Sequence, residues 1–73
     1  MMALKGICKW FDKMKGIGFI VVDGVDYFVH YKEIKVAGYK ELKEGQHVTF
    51  MAKKGDKGWF ATDVIIIKDG DGS

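Results

Sequence analysis

Short runs that alternate between apolar and polar residues dominate the chain, and turn-like residues separate them. The five runs are KGICKWF (5–11), IGFIVVD (17–23), VDYFVHY (25–31), HVTFMAKK (47–54) and WFATDVIIIK (59–68). Alternation bounded by glycine and aspartate is typical of β-strands. The pattern therefore predicts an all-β domain, either a small barrel or a sandwich, with one longer connection over residues 32–46. Residues 69–73 (DGDGS) are expected to form a frayed tail beyond a domain of residues 1–68.

Strand alternation also assigns side chains to faces of the sheet. On the second strand, Phe19 shares a face with Ile17. On the third strand, Phe28 shares a face with His30, and Val29 points the opposite way. Because Val29 suits the core, we expect Phe28 and His30 to lie on the solvent side.

Two positions on the first strand and one run on the last raise packing questions. Trp10 and Phe11 are adjacent and cannot both point the same way in a regular strand, so one is buried or a bulge intervenes. Cys8 occupies an inward-facing position and is expected to act as a small core residue. The run VIII (64–67) predicts a buried final strand, with a dimer edge as the alternative.

Length and composition narrow the class of protein. A chain of 73 residues forms one small domain, and such a domain buries only roughly 60% of its unfolded surface. A single cysteine excludes an internal disulfide and fits a reducing cytoplasm. With only two histidines in addition, no metal site of the usual spacing and no cofactor are expected. No run is long enough to span a bilayer and no signal pattern precedes the domain, so we expect a cytoplasmic protein.

The basic residues suggest a class of ligand. The net charge is +2, and all twelve basic residues are lysine. Arginine makes the bidentate contacts that read guanine edges, so sequence-specific recognition of duplex DNA is disfavoured. The segment KWFDKMKGIGFI (9–20) interleaves three aromatics with Lys9, Lys13 and Lys15. Bases stack on ring faces and amines neutralise phosphates, so this mixture predicts a surface for single-stranded nucleic acid.

Three segments resemble the cold-shock domain family: KWFDKMKGIGFI (9–20), DYFVHY (26–31) and GYKELKEGQHVTF (38–50). In that family a K-W-F opening, a K-G-[FY]-G-F-I motif and a V-F-V-H-F-type motif lie on the first three strands of a five-stranded antiparallel OB-fold barrel. The resemblance covers about residues 5–64, with the motifs in the right order and spacing. It implies a domain that binds single-stranded RNA and DNA in the cytoplasm, as an RNA chaperone or in transcription antitermination.

The resemblance also implies a set of site residues. The positions that would stack on bases are Trp10, Phe19, Phe28, His30, Tyr31 and Tyr39. The positions that would contact the phosphate backbone are Lys9, Lys15 and Lys57. The accessory positions are Phe11, Ile17, Asp26, Trp59 and Phe60. Together they would hold about six nucleotides.

The chain departs from the family pattern in places that affect the expected site. Ile17 stands where the family has an aromatic residue, which would weaken one stacking contact worth about 1–3 kcal/mol. Asp12 stands where asparagine is usual and would add negative charge near the phosphate path. The usual G-P pair before the last strand is Gly58-Trp59, followed by Phe60. Trp59 either stacks on a base, shields the end of the barrel or joins a dimer contact.

Two other classes of function stand beside nucleic-acid binding. A diverged OB barrel could serve as a protein-interaction or oligomerisation module, which the apolar residues Ile17, Trp59 and Phe60 and the run VIII (64–67) would suit. An enzyme is not expected, because no serine, cysteine or carboxylate is placed near a histidine by a recognisable spacing. A monomer is expected, with a weak dimer as the alternative.

Overall fold

The computed structural model describes residues 3–36, 38 and 40–67. Its strands are β1 (Leu4–Asp12), β2 (Ile17–Val22), β3 (Val25–His30), β4 (His47–Gly55) and β5 (Gly58–Ile66), and a turn of 3₁₀-helix at Tyr31–Glu33 follows β3. Every predicted strand is present, with its ends shifted by at most two residues. The expected tail (69–73) lies outside the described residues.

The strands close into a barrel in the order β1-β2-β3-β5-β4. This confirms the five-stranded barrel and excludes the sandwich. Four pairings are antiparallel, whereas β3 and β5 pair in parallel through Phe28 and Phe60. A closed ring with an odd number of strands cannot alternate direction throughout, so at least one parallel pairing is a geometric necessity. Antiparallel order therefore holds everywhere except at this closure.

The barrel interior is filled from every strand and from the connection between β3 and β4. The buried apolar residues are Cys8, Ile20, Val29, Ile34, Leu42, Val48, Phe50, Ala61 and Val64. The inward positions predicted for Cys8 and Val29 are confirmed. The predicted buried final strand is confirmed at Val64 and Ile66, which lie in or against the core, whereas Ile65 is 52% exposed. Although this run is apolar at every position, successive side chains of β5 still alternate between the two faces.

A bulge precedes Trp10 and Phe11, whose side chains then alternate between the two faces of β1. The pairing of β1 with β2 shifts register between Cys8 and Trp10, after which Phe11 faces Gly18. Trp10 is 42% exposed, whereas Phe11 is half-buried against the core. Both parts of the sequence-based alternative therefore occur, since a bulge is present and the two rings point to opposite sides.

The thiol of Cys8 is expected to resist alkylation in the folded protein. Its side chain is 1% exposed, and burial, with a smaller contribution from Glu44, raises the thiol pKa from 9.0 to about 11. The thiolate is the reactive form, and two pKa units correspond to about a hundredfold less thiolate at pH 8 than in the unfolded chain. We expect iodoacetamide, followed by mass spectrometry, to modify the native protein at least a hundredfold more slowly than the urea-unfolded protein.

The same shift has a consequence for stability. The folded state holds the thiol proton more tightly than the unfolded state, so this contribution is fully present below about pH 9 and is lost as the pH rises through about 11. The variant Cys8→Ala should lack this alkaline decline. Equal alkylation rates in the folded and unfolded protein would contradict the buried position of the thiol.

Candidate nucleic-acid interface

A row of four aromatic side chains crosses neighbouring strands on the outside of the barrel. Trp10 on β1 pairs with Phe19 on β2, Phe19 pairs with Phe28 on β3, and Phe28 pairs with Phe60 on β5. Directly paired residues on adjacent strands project from the same face of a sheet. These four residues are called the aromatic row below.

The rings of Trp10, Phe19 and Phe28 in the aromatic row are packed on one another and remain accessible to solvent. The centroids of Trp10 and Phe19 are 5.6 Å apart at 58°, and those of Phe19 and Phe28 are 5.8 Å apart at 71°. Both separations lie in the range that favours tilted and edge-to-face pairs. Phe28 is 37% exposed, which confirms its predicted solvent-facing side, while Phe19 and Phe60 are half-buried. The tilted packing holds the rings in place and leaves part of their surface free.

A second group of side chains lies beside the aromatic row at the ends of β2 and β3. Ile17 pairs with His30, and the His30 ring lies 4.6 Å from the Tyr31 ring at an angle of 33°. The Nδ1 atom of His30 accepts a hydrogen bond of 3.2 Å from the backbone N–H of Lys32. The neutral imidazole therefore carries its proton on Nε2, which is the nitrogen left free to donate. Ile17 contributes apolar surface here but no ring.

The turn between β1 and β2 positions Tyr31 through Gly16. The backbone N–H of Tyr31 donates to the carbonyl of Gly16 at 2.8 Å. Gly16 has φ +73°, and a Cβ at that position would lie 2.5 Å from Cδ1 of Tyr31. Only glycine both adopts this backbone conformation without strain and leaves room for the ring. The sequence showed the glycine but not its contact, because Gly16 and Tyr31 lie on different elements.

Asp12 holds the same turn together. Its Oδ1 atom accepts hydrogen bonds from the backbone N–H groups of Met14, at 2.9 Å, and Lys15, at 3.2 Å. An aspartate that bonds to the backbone two and three residues ahead is a common way to build a turn. Sequence reasoning treated Asp12 only as a negative charge and missed this role, although an aspartate at the start of a glycine-ended turn signals it.

The predicted lysines lie at different edges of this surface. Nζ of Lys9 lies 3.0 Å from Oδ2 of Asp26, and both side chains are about half exposed, so the pair adds little to stability. Lys13 and Lys15 line an open groove of about 420 Å³. Tyr31, Lys40, Met14, Gly16 and Gly38 line the same groove. Lys57, in the turn between β4 and β5, borders a second groove near Phe28.

Trp59 lies at the end of the barrel rather than in the aromatic row. Its ring centroid is 6.0 Å from that of Tyr27, which in turn lies 5.1 Å from the ring of the buried Phe50. Nζ of Lys54 lies 5.6 Å from the centroid of the Trp59 ring. Trp59 is nevertheless 43% exposed, so its contact with a base, its shielding of the barrel end and its part in a dimer contact all stay predictions.

The remaining predicted residues take other positions. Phe11 packs inward against the core, and Asp26 lies beside the aromatic row with its carboxylate on Lys9. Tyr39 is outside the described residues. Within residues 3–36, 38 and 40–67, no helix is long and apolar enough to cross a membrane, and no group of three acidic, histidine or cysteine side chains could hold a metal ion.

A closed five-stranded barrel that displays paired aromatics beside lysines has the architecture of an oligonucleotide-binding OB-type domain. A model of the 'Cold-shock' DNA-binding domain matches residues 4–67, which is most of the chain. The chain belongs to the cold-shock domain family, and the resemblance drawn from its motifs is confirmed. It is accordingly a nucleic-acid-binding domain.

Curated relatives agree with this assignment. The Cold shock-like protein CspD of Haemophilus influenzae is 50% identical over 66 residues, which cover 88% of this chain and 92% of that protein. The Cold shock protein CapB of Pseudomonas syringae is 51% identical over 63 residues, covering 85% of this chain and 91% of that protein. A Cold shock-like protein of Thermotoga maritima is 47% identical over 66 residues, covering 89% of this chain and all of that protein.

Proposed function

We propose that this domain binds single-stranded RNA or DNA by stacking bases on its outer aromatic side chains. The residues that would stack are Trp10, Phe19, Phe28, His30, Tyr31 and Tyr39. One observation carries the proposal: Trp10, Phe19 and Phe28 occupy directly paired positions on β1, β2 and β3 with ring centroids 5.6–5.8 Å apart. Stacking on such rings stabilises each bound base by about 1–3 kcal/mol.

The arrangement favours single strands over duplexes. In a duplex the bases are stacked on one another, so their faces cannot reach a ring on a convex barrel. An unpaired strand can turn its bases toward Phe19 and Phe28 and expose its phosphates to Lys9, Lys15 and Lys57. A protein that binds only the unpaired form shifts a hairpin toward its open state by mass action, without ATP. This mechanism suits a cytoplasmic RNA chaperone or antitermination factor that acts without catalysis.

Three of the apolar residues that suggested an interaction module have positions that this function explains. Ile17 and Phe60 lie beside or within the aromatic surface, and Trp59 packs on Tyr27 at the barrel end. None of these side chains needs a protein partner to account for its place. We therefore infer that the domain acts as a monomer.

Tryptophan fluorescence tests the proposal directly. In a Trp59→Phe variant, Trp10 is the remaining tryptophan, so its emission reports on the aromatic row alone. Titration with a seven-nucleotide oligothymidine should give saturable quenching, and a G·C-rich duplex long enough to stay paired at the titration concentration should not. With about three lysines on phosphates, log affinity should fall with log salt at a slope of roughly −2. Equal quenching by the duplex, or none by the single strand, would overturn the proposal.

Replacing Ile17 with phenylalanine is expected to strengthen binding. The new ring would lie beside His30 and on the same face as Phe19, where the family carries an aromatic. One further stacking contact should raise the affinity for oligothymidine roughly fivefold to tenfold. The matched control is Ile65→Phe, which makes the same change at an exposed isoleucine on β5. An equal gain in both variants would show that added apolar area, rather than position, strengthens binding.

A further inference from the structure

The aromatic row does not end at Phe28. Phe28 on β3 and Phe60 on β5 are paired residues of the parallel closure, so Phe60 extends the row to a fourth strand. Beside them lies an open groove of about 790 Å³, called the β5 groove below. Its lining residues are Phe19, Asp26, Phe28, Gly55, Asp56, Lys57, Gly58, Trp59 and Phe60.

We propose that the β5 groove is a further subsite for one base of the bound strand, that Phe60 supplies its stacking ring, and that it favours bases with an exocyclic amino group. This inference rests on the proposed function, because the strand must already lie along Trp10, Phe19 and Phe28 to reach the groove. It adds a residue, a position and a base preference to that function.

Phe60 rather than Trp59 is suited to stack on the base. The Trp59 ring already packs against Tyr27 and has the Lys54 ammonium near it. The Phe60 ring lies on the outer face beside Phe28, and its Cε1 atom would be 3.0 Å from a Cβ at Gly55. The absence of a side chain at Gly55 thus lets the ring sit close to the turn, which supports it from one side. Trp59 forms an edge of the groove.

The groove has the size and borders that a base requires. Its volume falls within the roughly 300–1,000 Å³ typical of small-ligand sites. Phe19, Phe28 and Phe60 line it, and Lys57 lies in the turn that borders it, where a phosphate next to the bound base would be neutralised. A flat apolar base with an adjacent anion therefore matches the groove.

Two carboxylates at the groove give the base preference. Asp26 and Asp56 both border it, and a carboxylate accepts hydrogen bonds from exocyclic amines such as N4 of cytosine. Oδ2 of Asp26 is taken by Lys9, whereas Asp56 makes no ion pair among the described residues. Thymine and uracil offer that carboxylate only the N3–H donor, which is flanked by two carbonyl oxygens that the carboxylate repels. The subsite should therefore prefer cytosine, adenine or guanine.

The test compares oligonucleotides that differ only at one end. A seven-nucleotide oligothymidine is prepared with cytosine, thymine or an abasic residue at its 5′ end, and a second set carries the same changes at its 3′ end. These are titrated against the wild type, Phe60→Leu, Phe60→Ala and the control Ile65→Ala, which removes an exposed apolar side chain elsewhere on β5. Phe60→Leu keeps an apolar side chain but removes the ring.

In one of the two sets, 5′ or 3′, the wild type should bind the oligonucleotide that ends in cytosine at least roughly fivefold more tightly than the one that ends in the abasic residue. Phe60→Leu and Phe60→Ala should lose most of this ratio, and Ile65→Ala should keep it. The ratio compares two ligands on the same protein sample, so a partly unfolded variant still gives a valid answer. Asp56→Asn should bring the cytosine-to-thymine ratio close to one while the preference over the abasic residue persists.

A second fluorescence reporter tests whether the base lies in the β5 groove. In Trp10→Phe, Trp59 is the remaining tryptophan, and its emission should respond to the cytosine-ended strand more than to the abasic-ended strand. If the ratios are unchanged in both Phe60 variants while Phe28→Ala weakens binding, the subsite is wrong and the proposed function stands. An unchanged cytosine preference in Asp56→Asn overturns the preference. Failure of every oligonucleotide to bind overturns the subsite and the proposed function together.

Discussion

The variant Phe28→Ala is expected to bind oligothymidine roughly tenfold to a hundredfold more weakly than the wild type. Phe28 lies between Phe19 and Phe60 in the aromatic row, so its removal interrupts the stacking surface at its centre. Losing one stacked base costs about 1–3 kcal/mol, and each 1.4 kcal/mol is a factor of ten in affinity. The loss should be measured by fluorescence titration with Trp10 as the reporter.

The same substitution should affect folding much less. Phe28 lies outside the barrel core, and its packing on the Phe19 ring is an edge-to-face contact worth about 0.5–1.5 kcal/mol beyond buried area. The matched control is Val25→Ala, because Val25 lies on the same strand and is 42% exposed, close to the 37% of Phe28. Val25→Ala should bind as the wild type does. Equal losses in the two variants would mean that β3 as a whole, rather than the ring, had been disturbed.

Gly18→Ala is expected to cost about 3 kcal/mol or more of folding stability, a large share for a domain of this size. A Cβ at Gly18 would meet the carbonyl oxygen of Trp10, and it would lie 2.8 Å from Cδ1 and 2.9 Å from Cα of Phe11. Backbone atoms of β1 cannot retreat without breaking the pairing of β1 with β2. At about 4–8 °C per kcal/mol, the melting temperature should fall by at least roughly 12 °C.

A second glycine provides the control for this prediction. Gly24 lies in the turn between β2 and β3 with φ +81°, and a Cβ there would meet nothing within 4 Å. Gly24→Ala should therefore cost only the backbone strain of a left-handed residue, about 1–2 kcal/mol. Thermal unfolding followed by circular dichroism compares the two. A smaller drop for Gly18→Ala than for Gly24→Ala would contradict the close approach of β1 to β2.

Local features of the fold were predictable from the order of residues. Alternation along β3 was enough to predict that Phe28 points outward and Val29 inward, because successive side chains of a strand point to opposite faces. The barrel as a whole followed from the resemblance carried by the motifs around Trp10 and Phe19, whereas the stacking roles of the outer aromatics stay a prediction. Alternation alone left the choice between barrel and sandwich open, since both bury one face of each strand.

Features that depend on distant pairing were not predictable in the same way. The placement of Phe60 beside Phe28 arises from the parallel closure, which no local pattern encodes. The contact between the Trp59 and Tyr27 rings was not predicted, because the two residues lie on different strands. The run 64–67 predicted a buried strand because every residue in it is apolar. Ile65 is exposed because successive side chains of β5 point to opposite faces of the barrel.

The parallel closure of the barrel also bears on how the binding surface assembles. Trp10, Phe19 and Phe28 lie on consecutive strands joined by short turns, so their alignment needs only local contacts, which form early at low entropic cost. Phe60 joins them across 32 residues of chain, the difference between positions 60 and 28. Forming this contact costs the conformational entropy of closing a long loop. The fourth ring therefore joins the row only when the seam between β3 and β5 is shut. Nucleic acid that spans this seam would hold it closed, so the ligand should slow unfolding of the protein that binds it.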